Sequence, residues 1–64
     1  MKLSGNALIM RELNINLVRK TLKIRKQATR QQIAEATGLS TVTVSTIIQQ
    51  LLEANEILEV DQVP

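Results

Sequence analysis

Apolar residues between Ala7 and about Lys26 recur at helical steps. Met10, Leu13, Leu17, Thr21 and Ile24 follow intervals of three and four, and Leu8, Ile15, Val18 and Leu22 widen the stripe. A period near 3.6 residues predicts an amphipathic helix with this stripe inward. Arg19, Lys20, Lys23 and Lys26 fall on the other side. Asn14 is a weak helix former and marks a place where the helix could break. Met1–Asn6 is polar and reads as a loose start, in which Ser4 or Asn6 caps the first helix.

Gln27–Ala28 reads as a short connection. Thr29 then opens a capping box with Gln32, each side chain reaching the other residue's backbone N–H. A short helix over 30–37 follows, with Ile33, Ala34 and Thr37 toward its inner side. Gly38 is placed to end it in the left-handed conformation. Leu39 is the apolar turn residue, and Ser40 caps a third helix over about 41–54. Val44, Ile47, Ile48 and Leu51 make that helix's apolar face. Asn55 suits a left-handed position after its end. Ile57-Leu58-Glu59-Val60, rich in branched side chains, predicts a strand over about 57–61. The expected fold is mainly α: one domain over 1–64, a three-helix helix-turn-helix core with a short C-terminal strand, in effect a truncated winged helix.

Composition narrows the chemistry. The chain has 64 residues with neither cysteine nor histidine. That removes disulfides, thiolate metal sites, the commonest general base and the usual activator of a serine nucleophile. The carboxylates are scattered, so the expectation is no enzyme, no catalytic residue, no metal and no cofactor. The 44% apolar fraction contains no aromatic residue. Readers of RNA and single strands stack bases on aromatic rings, so duplex DNA is the better nucleic-acid partner. No segment approaches the roughly 20 apolar residues that cross a bilayer, and the N-terminus lacks the apolar run of a signal peptide. The expected setting is the cytoplasm, with no membrane partner.

Charge sharpens this picture. All eight Lys and Arg lie within residues 1–30, beside the one acid Glu12, for a net side-chain charge of +7. From Gln31 onward there are five acids and no cation, for −5. A polyanion partner for the basic half is one reading; a solvated helix face is the other.

Helix, glycine turn, helix is the layout of a DNA-binding helix-turn-helix. The face of the third helix away from Val44 and Ile47 carries short side chains that suit a major groove about 12 Å wide. Thr41, Val42 and Thr46, with Thr43, are the candidate base readers, Val42 against a thymine methyl. The lesser alternative for Val42 is a core residue, since third helices of small domains bury wide faces. Arg30 and Gln31 open the helix that crosses the backbone and are candidate phosphate contacts. Ser40, Ser45 and Gln49 flank the reading face, and Lys20, Lys23 and Lys26 supply charge from the first helix. Ser40, Thr29 and Gln32 are also sufficiently explained as caps.

The run Thr29-Arg30-x-x-Ile33-Ala34-x-x-Thr37-Gly38-Leu39-Ser40-x-x-Thr43-Val44-Ser45-x-Ile47-Ile48-x-x-Leu51-Leu52 resembles the N-terminal winged helix-turn-helix of ROK-family repressors, the xylose- and N-acetylglucosamine-type regulators. Asn14, Val18 and Leu22 match that family's first helix, so the resemblance covers roughly residues 14–60. It implies an operator-reading domain of a transcriptional regulator, a repressor of sugar-utilisation genes, homodimeric as part of a full-length protein. Thr29 stands for the family's usual Ser and Asn55 for its usual Gly; both keep the conformational role. The family's Gly-Gly-Arg-Pro wing and sugar-kinase-like domain have no counterpart in the sequence, so no small molecule is expected here. An excised domain or a naturally short relative is the expectation. The alternative function is a winged-helix module that binds a partner protein without reading DNA.

Overall fold

The structure is a computed structural model that describes residues 3–59, with side chains from residue 7 onward. Three helices run in order: α1 over Leu3–Arg25, α2 over Arg30–Thr37 and α3 over Thr41–Glu53. All three pairs of helices touch.

α1 starts earlier than the polar N-terminal segment suggested. Ser4, Gly5 and Asn6 lie inside its first turns, so neither Ser4 nor Asn6 caps it. It passes Asn14 without a break. It ends at Lys26, which adopts φ 70°, an unusual conformation for a residue with a Cβ. The Lys26 N–H still donates to the Leu22 carbonyl at 2.7 Å.

α2 and α3 begin and end on local hydrogen bonds. The Gln32 N–H donates to Thr29 Oγ at 3.0 Å, and the Thr29 N–H donates to Gln32 Oε1 at 2.9 Å, closing the capping box. Gly38, at φ 79°, donates its N–H to the Ala34 carbonyl at 2.8 Å. Thr37 laces the same turn: its hydroxyl donates to the Ile33 carbonyl and accepts from the Leu39 N–H. Ser40 Oγ then accepts from the Thr43 N–H at 3.1 Å. After α3, Asn55 is left-handed at φ 59°. Its N–H reaches Leu52, and the Glu56 N–H reaches Leu51. That pair of bonds is the Schellman pattern, which satisfies carbonyls the helix end would orphan.

The core is a single aliphatic cluster: Val18 from α1, Ile33 and Ala34 from α2, and Val44, Ile47, Ile48 and Leu51 from α3. Ile15, Leu22, Ala28, Leu39, Leu52 and Ile57 pack around it. The small Ala34 lets the helices approach closely. Among the described residues no polar side chain is buried.

Two sequence expectations are corrected. First, α1 buries Ile15, Val18 and Leu22, not the Met10–Leu13–Leu17–Ile24 stripe, which remains exposed. The two stripes adjoin, and α2 and α3 together cover one of them. Second, Ile57–Glu59 forms no strand; the remainder of the expected 57–61 strand lies outside the described residues. A strand needs a partner for its ladder, and none is present among the described residues. The segment instead lies as a strap, with Ile57 half-buried against the core. Among the described residues, no helix is long and apolar enough to cross a membrane.

Candidate nucleic-acid interface

The outward face of α3 is held at both ends by the caps just described. Thr41 opens it, exposed, with no hydrogen bond to its hydroxyl among the described residues. Val42 is 75% exposed, which settles it as a surface residue rather than part of the core. An isopropyl group standing in water at the first turn of a helix can meet an apolar feature such as a base methyl. Thr46, one turn along, is exposed and donates its hydroxyl proton to the Val42 carbonyl at 3.1 Å. Its oxygen keeps acceptor capacity only. Thr43 is half-buried, and its Oγ accepts from the Ser40 hydroxyl at 3.0 Å, so both side chains are engaged in the cap. Ser45 is half-buried on the flank. Gln49 is exposed and donates to Glu53 at 3.3 Å. Gln50, four residues past Thr46, is also exposed. Its spacing from Thr46 was the available signal for a residue the sequence reading passed over.

The cations gather elsewhere. Lys23, Lys26, Arg30 and Gln31 line one wide groove between α1, the start of α2 and the C-terminal strap. Leu22, Ile33, Ile48, Leu52 and Ile57 form its apolar floor. Lys20 is not among them. It lies on the other side of α1, beside Ala36 and Thr37 at the end of α2.

The strap brings acids to this groove. Arg19 donates two bonds to the Glu56 carboxylate, at 2.9 and 3.1 Å, and a third to Asn16 Oδ1 at 2.9 Å. Its pKa is raised, first by the Glu56 hydrogen bond, against a lowering by desolvation, with the charges of Glu56 and Glu12 adding to the rise. Arg30 Nη1 lies 3.6 Å from Glu59, with both side chains partly exposed. Arg19 therefore anchors the strap, a role the sequence hinted at only through its charge asymmetry. Lys23 and Lys26 make no ion pair among the described residues. The N–H groups of Arg30 and Gln31 precede the one that Thr29 caps, and they face outward with the helix dipole. No cluster of potential metal ligands occurs among the described residues.

Compared with known proteins, the chain matches no family model, and no curated protein or solved structure is close enough to it to count as a match.

Proposed function

We propose that the Thr29–Leu52 unit binds double-stranded DNA, with α3 in the major groove, as the operator-reading domain of a transcriptional regulator. The observation that carries this reading is the outward face of α3. It is uncharged from Thr41 to Gln50, it exposes Thr41, Val42 and Thr46, and as far as Thr46 its side chains are short. Such a face can approach base edges without a steric or charge barrier.

The contacts divide by chemistry. Thr41 has a free hydroxyl and can donate or accept. Thr46 has committed its proton, so it favours a base donor, the exocyclic amine of adenine or cytosine. Val42 suits a thymine methyl. Arg30, with the free N–H groups at the start of α2, takes a phosphate, and Lys23 and Lys26 add charge from the same groove. Phosphate contacts of this kind set affinity and register, while the α3 side chains set sequence. The Thr-Gly-Leu-Ser and Thr-Val-Ser strings support the narrower reading, a ROK-type repressor of sugar-utilisation genes.

The test is fluorescence titration of the chain against a duplex selected from a randomised pool and against random duplexes. Non-specific binding of about 10⁻⁴ to 10⁻⁶ M is expected near physiological salt. Thr41→Ala should erode discrimination between the two duplexes, and Arg30→Ala should weaken both alike. If Thr41→Ala leaves discrimination intact, Thr41 reads no base. If no duplex binds, the reading fails and a protein-binding module takes its place.

A further inference from the structure

Among the described residues, the stretch of α1 from Ala7 to Leu13 has no tertiary support. Core packing begins at Ile15, and every described side chain from Ala7 to Leu13 is exposed. A helical overhang of about three turns is marginal in water by itself. Yet this one is apolar: Met10 is 55% exposed and Leu13 53%, and the stripe continues over the core through Leu17 at 43% and Ile24 at 69%.

We propose that this stripe is an isologous interface at which a second copy of the chain pairs α1 against α1, antiparallel, about a two-fold axis at Leu17. Spacing is the first argument. Positions 10, 13, 17, 21 and 24 are separated by three, four, four and three residues. That series reads the same in both directions, as a self-complementary two-fold contact between antiparallel helices requires. Met10 then opposes Ile24 of the other copy, Leu13 opposes Thr21, and Leu17 opposes Leu17.

Charge is the second argument. In the antiparallel register Lys20 faces Asn14 and Arg25 faces Ile9, and the one like-charged pair that the register sets opposite, Arg11 and Lys23, lies about 120° around the helix from Leu17, off the seam. A parallel pair in register would set Lys20 against Lys20 and Arg25 against Arg25. Shape is the third. Beside the stripe, Leu17, Thr21 and Ile24 form a groove of about 280 Å³ with Ala36 and Thr37 of α2, also lined by Lys20 and Arg25. The antiparallel register delivers the other copy's overhang, with Met10 and Leu13, into that groove. Each copy thus covers the other's bare turns. The proposal does not depend on what α3 binds.

Sedimentation equilibrium of the 64-residue chain tests it. The mass should rise with concentration from 7.1 kDa toward twice that value. Helicity by circular dichroism should rise over the same range as the overhang orders. Leu17→Glu sets two carboxylates against each other at the axis and should weaken association by about a hundredfold or more. Glutamate is a good helix former and residue 17 is outside the core, so the monomer should keep its fold. Mixing Leu17→Glu with Leu17→Lys should restore the pair. Leu58→Glu, on the strap, should change nothing. The chain has no cysteine, so introduced ones are unique. Oxidising a mixture of Met10→Cys and Ile24→Cys should give the mixed crosslink in excess over either homodimer. A monomer at every concentration, undiminished association of Leu17→Glu, loss of association with Leu58→Glu, or dominance of the Met10→Cys homodimer would each overturn the proposal.

Discussion

Glu59→Gln is the perturbation that most directly probes the proposed grip on a polyanion. In the free protein, Glu59 sits 3.6 Å from the Arg30 guanidinium. A phosphate that takes Arg30 has to displace it. Exposed pairs of this kind contribute about 0.2 to 1 kcal/mol, which corresponds to a factor of about 1.4 to 5 in an equilibrium constant. Glu59→Gln should therefore tighten duplex binding by about that factor at low salt, and by less as salt screens the pair. Of the four cations that line the groove, Arg19 is committed to Glu56, which leaves three, Lys23, Lys26 and Arg30. With one phosphate each, log affinity should fall with log salt at a slope near −2.7, since each neutralised phosphate contributes about −0.9. Arg30→Ala should bring the slope to about −1.8 by the same rule. The assay is fluorescence anisotropy on one duplex over a series of salt concentrations. Two controls make the result decisive. In an Arg30→Ala background, Glu59→Gln should give no gain, because the pair it releases is gone. Glu35→Gln changes net charge equally, yet Glu35 lies outside the groove and should have little effect. An equal gain from Glu35→Gln, or a full gain without Arg30, would refute the displacement mechanism and leave only net charge.

Two further predictions concern the fold. Gly38→Ala would place a Cβ in open space, with no atom within 4 Å, so its only penalty is the left-handed backbone at φ 79°. The cost should be about 1 kcal/mol, a fall of about 4 to 8 °C in Tm for a domain of this size, while Lys26→Gly should act in the opposite direction by less. Thermal melts followed by circular dichroism check both, and a loss above about 3 kcal/mol for Gly38→Ala would show that more than backbone strain is involved. Ile33→Ala empties a fully buried site and should cost about 2 to 5 kcal/mol, against a total stability on the order of 3 to 10 kcal/mol for 64 residues. Denaturant unfolding should show that variant partly unfolded before denaturant is added, and Ile33→Val losing about 0.5 to 1.5 kcal/mol.

The parts of the fold that sequence made legible are those made by short-range hydrogen bonds. Thr29 and Gln32, Gly38, Ser40 and Asn55 each act within five residues of themselves, so α2, the turn and α3 could be read from their signals. Long-range features were less legible. Two apolar stripes adjoin on α1, and which one is buried depends on how much surface α2 and α3 can cover. The strand expected at Ile57–Val60 rested on propensity alone, and propensity does not supply a partner. Lys26 ends α1 in a left-handed conformation without glycine or asparagine to announce it. The Arg19–Glu56 pair joins residues 37 apart in sequence. Its only trace there was the segregation of cations from acids. On the candidate interface, Val42 was open between core and surface until the packing of α3 was known, and Thr43 offered no sign that Ser40 would engage its hydroxyl.

That segregation of charge bears on how the chain could work. A reading helix with no cation cannot hold DNA by its own charge, so its short side chains can discriminate only while something else grips the backbone. On the proposed reading the grip falls to one groove, and within it the strap has already partnered two cations, Arg19 and Arg30. Arg19 is bound by a bidentate, charge-assisted contact plus Asn16, and it stays committed to structure. Arg30 is held by a single long contact and can be released. Lys23 and Lys26 make no ion pair among the described residues. The acids of the strap thus act unequally: Glu56 fixes the strap to α1, and Glu59 tempers the cation nearest the start of α2. If α3 reads DNA as proposed, this arrangement predicts weak, salt-sensitive binding to any duplex and leaves the preference among duplexes to Thr41, Val42 and Thr46.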